Sequence, residues 1–493
     1  MRLRLPVRPR KGAFFLSALA LASGGFGPVA AQAQPLAQAP VGRVASNFEQ
    51  LRVTEVADQL IRYLGTVLQW VDQPGTRAAP LVLAGAVRSA VLAHPEVRLS
   101  QEQRETASLA TREAYAGLLP QVSANADGGR RRFDAINTPW SNVPAHDDNS
   151  RALAISARQL LYDFGAVSSQ VDARTALEAA AAARAEVKRS ELSLRALTAW
   201  SELFRTQQGV ALASMNTASR QQILSFIEER ESLGGSPQSD VLRARARLAD
   251  AQVAAVAAQN RLTSAEAVYR EVFDQPPPAQ VLLPAAVPVA LARYAGLDEW
   301  ISRSPHLAEA RAQTEAAGHE AKAAAAALLP SLHLDLSLRR RDIGGEGVAG
   351  NDWTAGLMLK QNLYSGGADL ARKRQADQRA KEGQLGEDNV RRQLERAFAQ
   401  ATADVRNSVA AVAARKDAAK VAAVALEAVR EQFAFRRGTL LDLLRAQEEL
   451  YGAGRELIDG VVDDALVRFR LLHLAADLSP MFDLPASNPT LTK

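Results

Sequence analysis

The residues able to do chemistry are few and dispersed. Six histidines, His94, His146, His306, His319, His333 and His473, are the candidates for metal binding or proton transfer. They show no His-Glu-x-x-His run and no paired ligand spacing, so a structural or solvated role is expected for each. Cysteine is absent. That excludes thiol catalysis, thiolate metal sites, disulfides and a lipid carried on an N-terminal cysteine. The run "GGSPQSD" (Gly234–Asp240) contains neither a nucleophile elbow nor a phosphate loop. The run "GGEGVAG" (Gly344–Gly350) is glycine-rich but lies within a strand pair rather than between strand and helix, which argues against a phosphate cradle. Carboxylates recur at helix-surface spacing, the pattern of a solvated face. No enzymatic activity, cofactor or metal is expected.

The elements around these residues carry more information than the residues themselves. The chain has 493 residues, is rich in alanine, and has only 5% aromatic residues, which favours long helices over a compact sheet protein. Residues 1–33 read as a cleaved export signal: Arg2, Arg4, Arg8, Arg10 and Lys11, then the apolar "GAFFLSALALAS", then "AQA". The apolar run is too short to span a bilayer as a helix, and no later run is long enough. Those five basic residues account for the whole formal charge of +5, so the exported chain is near neutral. The basic footprint of a nucleic-acid binder is missing.

The chain repeats itself. "AHPEVRLSQ" (Ala93–Gln101) is similar to "RSPHLAEAR" (Arg303–Arg311), and "LLP" at Leu118–Pro120 recurs at Leu328–Pro330, both offset by 210. "LYDFGA" (Leu161–Ala166) recurs as "LYSGGA" (Leu363–Ala368), and "DVLRA" (Asp240–Ala244) as "DLLRA" (Asp442–Ala446), both offset by 202. The first copy therefore carries an eight-residue insertion between LLP and LY, assigned to the loop 133–150. The resulting division is signal 1–33, N-terminal extension 34–80, first repeat 81–273, proline-rich linker 274–295, second repeat 296–478 and tail 479–493. The tail is expected to be loop.

Each copy reads alike. A helix ends at LLP, because proline disfavours helical geometry in the residue before it. Two alternating strands follow. Leu332, Leu334, Leu336 and Leu338 share one face and Ser331, His333, Asp335 and Ser337 the other. On the return strand Trp353, Ala355, Leu357 and Leu359 alternate with Thr354, Met358 and Lys360. A long helix comes next, its stripe Val390, Leu394, Phe398, Val405, Val409 and Val412 facing a neighbour. A tight turn and a returning helix complete the copy. Ser239 or Asp240, and Thr439, are candidate caps of the returning helices. Phe48–Val71 also has helix-like spacing, suited to packing on the outside of the bundle.

The fold class is thus mostly α with a small β part: duplicated long helical hairpins and four strands per chain. Both helix junctions lie on the same side of each hairpin, so the strands project beyond the helices. If their leucine face meets lipid, the sheet edges must close into a barrel. Four strands are too few, so two or three copies are required, and only three leave a useful lumen. A conventional soluble core under the leucines is the competing arrangement. Arg339–Arg341 are expected at the outer rim, near anionic headgroups.

The duplicated order of LLP, strand pair, LY-x-x-G, long helix, G-x-x-D-x-L-x-A and returning helix resembles the TolC-type outer membrane efflux proteins, over roughly Leu81–Leu478. The resemblance implies a homotrimer with a twelve-stranded β-barrel in the outer membrane and an α-helical periplasmic tunnel. It implies partners: a periplasmic adaptor (membrane fusion) protein, an inner-membrane pump of RND or ABC type, and outer membrane lipid. The implied function is a passive exit channel for efflux or type I secretion, gated at its periplasmic end; the alternative is a periplasmic coiled-coil scaffold without a barrel. In the family an aspartate pair rings the closed entrance. The matching residues here are Asp442 and Arg445, where the basic partner could pair with the acid across the axis; equally, Asp442 reads as a first-turn carboxylate on a helix N-terminus. A latching tyrosine of the family would fall near Phe435, which has no hydroxyl. Gly235, Ser236, Asp240, Gly438 and Thr439 match the tip loops that meet the adaptor.

Overall fold

The computed structural model describes residues 60–69, 79–283, 297–341 and 350–482. The expected signal, most of the extension, part of the linker and residues 483–493 lie outside the described residues. All described residues fall within one unit, Gln50–Lys493.

Helix α1 covers residues 60–69. It is followed by α2 (Ala79–Ala93) and α3 (Pro95–Ala116), by strands β1 (Gln121–Phe133), β2 (Ile136–Thr138), β3 (Ser141–Val143) and β4 (His146–Tyr162), and by α4 (Ala166–Ser232) and α5 (Gln238–Phe273). The second run is α6 (Leu297–Arg303), α7 (Pro305–Ala326), β5 (Ser331–Arg341), β6 (Gly350–Lys360), α8 (Ala368–Ala434), α9 (Leu440–Leu474) and α10 (Leu478–Met481). The order helix, hairpin, long helix, returning helix therefore occurs twice.

The repeated sequence anchors are repeated structural devices. At both LLP sites the helix closes with short turns back onto its own carbonyls: the Leu119 N–H donates to Ala116 O at 3.1 Å and the Leu329 N–H to Ala326 O at 2.9 Å. At both LY-x-x-G sites a glycine with positive φ precedes the long helix, Gly165 at 85° and Gly367 at 88°. The left-handed region is where a side chain costs most, which explains why the glycine recurs. The first copy adds a second such residue, Phe164 at φ 56°, where the second has Gly366 at 66°. Asp163 steadies that turn, its carboxylate accepting from the Gly165 and Val167 amides at 3.0 and 2.7 Å.

Helices α4 and α8 are each 67 residues long. At about 1.5 Å per residue each reaches roughly 100 Å. A helix of that length is stable only against neighbours. α4 packs against α3, α5, α7 and α9, and α8 against α7 and α9. One buried cluster joins Trp200, Leu203 and Phe204 of α4 to Tyr269 and Phe273 of α5 and Phe469 of α9. A second, nearer the helix ends, joins Leu212 and Ile227 of α4, Leu426 of α8, and Leu450 and Leu457 of α9. The start of the linker is pinned to α4: the Trp200 Nε1–H donates to Leu282 O at 2.9 Å, and the Val281 amide to Gln207 Oε1 at 3.0 Å.

Five expectations are corrected. Val409 is 53% exposed, so the α8 stripe is buried only at Leu394, Phe398 and Val405. The N-cap of α5 is Pro237, without a side-chain cap bond, whereas Ser239 and Asp240 lie inside the helix. The insertion loop holds a small antiparallel ribbon, β2 with β3. The first residues of the tail continue from Leu478 as α10, and Leu478 and Phe482 lie in the core, because both join the apolar cluster of α4 and α9. The fifth, at Arg339–Arg341, belongs to the sheet.

The four long strands form one antiparallel sheet in the order β1-β4-β5-β6. The two hairpins thus join through β4 and β5, with Ser156 opposite Ser337 and Ala157 opposite Leu336. Leu336 stands opposite Ala355 and Leu338 opposite Trp353, so the leucine face is continuous across β5 and β6. Val122, Ala124, Ile155 and Ala157 extend it across β1 and β4.

Candidate functional site

Two regions of the described chain are built for function: the sheet, and the two turns that end the long helices.

The two faces of the sheet differ in kind. The leucine face is uncovered, with Trp353 at 78%, Leu359 at 70% and Val122 at 70% exposure. The opposite face is a polar ladder. Ser123 and Ser156 hydroxyls meet at 2.8 Å, and the Arg158 Nε–H donates to Asp335 Oδ1 at 2.6 Å. Farther along, Arg339 pairs with Asp127 at 3.4 Å and Arg341 with Asp352 at 2.7 Å. The expectation that Arg339–Arg341 together face headgroups is therefore wrong for two of the three. The strand period of two turns Arg339 and Arg341 to the polar face, and only Arg340 to the leucine side.

The turn between α4 and α5 holds Gly235 and Ser236. The Gly235 amide donates to Arg230 O at 2.8 Å, and the Arg230 Nε–H donates back to Gly235 O at 2.9 Å. Asp240 lies in the first turn of α5, 3.7 Å from Arg243. The turn between α8 and α9 holds Phe435, Gly438 and Thr439. Phe435 is the C-cap of α8 and is 65% exposed. The Gly438 amide donates to Gln432 O at 3.1 Å. Thr439 caps α9 as expected from sequence.

Asp442 serves that cap. Its amide donates to Thr439 Oγ1 at 3.2 Å, while its Oδ2 accepts from the Thr439 hydroxyl at 2.6 Å and the Thr439 amide at 3.2 Å. This reciprocal arrangement satisfies N–H groups that a helix start otherwise leaves open. The Thr439 hydroxyl and amide hold the Asp442 carboxyl below the usual carboxylate range, and the charge of Arg445 adds a smaller push in the same direction. Arg445 is exposed on the next turn.

Three features of these ends were not anticipated from sequence. The Arg230 guanidinium lies 5.8 Å from the centroid of the Phe433 ring, and Phe226 and Phe433 meet edge to face at 6.1 Å, so the first turn is tied to the second. Arg220 is buried in α4, where its guanidinium donates to Leu444 O at 3.1 Å and to Glu448 Oε2 at 3.0 Å, both on α9. Burial pushes the Arg220 pKa down. The Gln447 amide donates to Ser219 Oγ at 2.8 Å beside it. A buried polar group on a helix of alanines is hidden in sequence until its partner helix is known.

Three of the histidines make hydrogen bonds to neighbouring groups. His94 caps α3, accepting from the Glu96 amide at 3.2 Å. His333 meets Ser331 at 3.0 Å, and His473 Nδ1 meets Ser190 Oγ at 2.7 Å. Among the described residues no group of three or more His, Asp or Glu is arranged to hold a metal, and no helix is long and apolar enough to cross a membrane.

A duplicated helical hairpin with a two-faced sheet of four strands matches a known family over both repeats. The family is described as "Outer membrane efflux protein" and covers residues 83–270 and 296–461. The chain belongs to this family. It is 25% identical to the outer membrane efflux protein BepC of Brucella suis biovar 1, over 80% of this chain and 89% of that one. It is 24% identical to the proteases secretion protein PrtF of Dickeya chrysanthemi, over 78% of this chain and 86% of that one. Among solved structures, the outer membrane protein VceC of Vibrio cholerae superposes with a TM-score of 0.72 at 18% identity, covering 80% of this chain and 96% of that one. That last likeness establishes the shared fold. For this efflux-family chain, the uncovered leucine face and the paired helix turns are accordingly the surfaces to interpret.

Proposed function

We propose that three copies of this chain form an outer membrane exit channel for a tripartite efflux pump or a type I secretion system. The observation that carries the reading is the sheet. It has strand neighbours on one side only at β1 and at β6, an exposed leucine face, and a polar opposite face. Open edges cannot sit in hydrocarbon, so β6 of one copy pairs with β1 of the next until the ring closes. Three copies give twelve strands, lipid outside and the Arg158–Asp335 ladder lining an aqueous lumen. The helices continue that lumen through the periplasm as a tunnel.

The tunnel ends at the helix turns. In this reading Asp442, Arg445 and Phe435 form the periplasmic constriction, while Gly235, Ser236, Asp240, Gly438 and Thr439 present the tips to a periplasmic adaptor coupled to an inner-membrane pump. In this reading the conduit is passive, and transport is driven by the inner-membrane pump. The names of the relatives span efflux and protease secretion, so the reading includes both cargo classes.

The test is fractionation followed by reconstitution. The exported protein is expected in the outer membrane fraction, resistant to alkaline extraction, and conductive in a planar bilayer. Recovery as a soluble periplasmic protein would overturn the channel and favour a coiled-coil scaffold.

A further inference from the structure

The strands are longer than the leucine belt they carry. On β5 the belt runs Leu332, Leu334, Leu336, Leu338, and the next residue of the same face is Arg340. Arg340 stands opposite Leu153 of β4. On β4 the face continues from Leu153 to Arg151, which stands opposite Gly128. On β1 it continues from Val122, Ala124 and Ala126 through Gly128 to Arg130 and Arg132. Four arginines of three strands thus follow the apolar belt on its own face. All four are exposed.

Their height matches a membrane boundary. Eight residues separate Leu332 from Arg340. At about 3.4 Å per residue and a strand tilt of about 40°, that is roughly 20 Å of vertical rise, close to the apolar band of membrane barrels. Tyr162 and Tyr364 stand exposed at the helical end of the belt and Trp353 near its far end, the aromatic placement of the two interfaces. Charge also separates the faces. Arg339 and Arg341 are neutralised by Asp127 and Asp352 on the polar face. In the strand register Arg132 stands opposite Asp147. Arg151 and Arg340 stand opposite a glycine and a leucine instead.

We propose that Arg132, Arg151 and Arg340, with Arg130 beside them, bind the phosphate groups of outer-leaflet lipid around the barrel. A guanidinium offers paired N–H donors in a plane that matches a phosphate. Placed at the edge of an apolar belt, it meets that phosphate only when the acyl chains already lie against the leucines. The proposal rests on the barrel reading above, and it identifies the lipid chemistry at one rim.

The experiment uses the full-length channel in detergent, titrated with bis-phosphorylated lipid A, with the same lipid stripped of its phosphates, and with inorganic phosphate alone. Retained lipid is read by native mass spectrometry, and each variant is also inserted into planar bilayers. The wild type is expected to prefer the phosphorylated lipid by on the order of tenfold, the scale of one or two charge-assisted bonds. The combined variant Arg132→Gln, Arg151→Gln, Arg340→Gln is expected to lose that preference and still conduct. If it does not assemble, Arg151→Gln and Arg340→Gln singly carry the test, each losing part of the preference. Unchanged preference in the variants overturns the proposal, as does equally arginine-dependent binding of inorganic phosphate, which would indicate a small-anion site. Failure of the wild type itself to insert would instead remove the barrel reading on which the proposal stands.

Discussion

Arg158 and Asp335 stand directly opposite each other on β4 and β5, their side chains 2.6 Å apart, although 177 residues separate them in the chain. This pair lies on the β4–β5 contact that joins the two hairpins into one sheet. The pair is partly exposed, and an isolated exposed ion pair stabilises little. Its worth lies in specificity, because like charges directly opposite in a sheet oppose pairing. Asp335→Arg is expected to lower the temperature at which the assembled channel dissociates on a semi-denaturing gel. Adding Arg158→Asp to it should restore most of that temperature. No rescue in the double variant would show that the pair does not set the register.

The cap at Thr439 separates two roles for Asp442. Thr439→Ala removes the cap and should cost roughly 1 kcal/mol of local stability, the usual loss for a capping side chain. It leaves the Asp442 charge in place. Asp442→Asn removes the charge as well. If Asp442 lines a constriction, Asp442→Asn alters block by divalent cations in single-channel recordings and Thr439→Ala does not. The same response in both variants would assign Asp442 to the cap alone. The pH sign follows from its lowered pKa: the contribution of the carboxylate is present above the ordinary aspartate range of about 4 and is lost as pH falls through the folded value.

His473 gives an opposite-end prediction at milder pH. Burial lowers its pKa most, His306 lowers it further, and Glu191 and the Ser190 backbone partly oppose them. A histidine with a depressed pKa binds fewer protons folded than unfolded, so its contribution is present above the unfolded value of about 6.5 and is lost as pH falls below it. The wild type should therefore lose helix-bundle stability as pH falls below about 6.5, read by urea unfolding, and His473→Gln should flatten that slope. A slope unchanged by the substitution would place the titration elsewhere.

These relationships were legible in the sequence to different depths. Leucine at every second position from Leu332 to Leu338 was enough to separate the faces of β5, because a strand period admits no other sorting. LLP and LY-x-x-G marked helix ends because proline and positive-φ glycine act on the backbone locally. The Arg339–Asp127 pair was not legible because it requires the register of strands from different hairpins, and the Arg341–Asp352 pair because it requires the register of β5 against β6. The β2–β3 ribbon lacks any apolar alternation in 133–150 to announce it. The burial of Arg220 was not legible either, because its partners, Leu444 and Glu448, lie on α9, more than 220 residues away in the chain.

Gly454 of α9 is the clearest unread signal, and it carries the last prediction. A glycine inside a helix costs stability and persists where something approaches closely. Here a Cβ on Gly454 would come within 2.8 Å of Leu64 Cδ2. Leu64 belongs to α1, the described part of the N-terminal extension, which buries Leu60, Leu64 and Val67 against the cluster of α4, α8 and α9. Tyr63 adds a hydroxyl bond to Gln208 Oε1 at 2.7 Å, and burial raises its pKa. Gly454→Ala is expected to push α1 off the bundle while leaving the other helices intact, so that the backbone at Arg62, exposed but held in α1, becomes cleavable by trypsin at low enzyme concentration. Leu64→Ala should do the same by losing about 2–5 kcal/mol of packing, and Tyr63→Phe should do so weakly, at about 0.5–1.5 kcal/mol. Protection of Arg62 equal to wild type in both Gly454→Ala and Leu64→Ala would mean that α1 is held by contacts other than this groove.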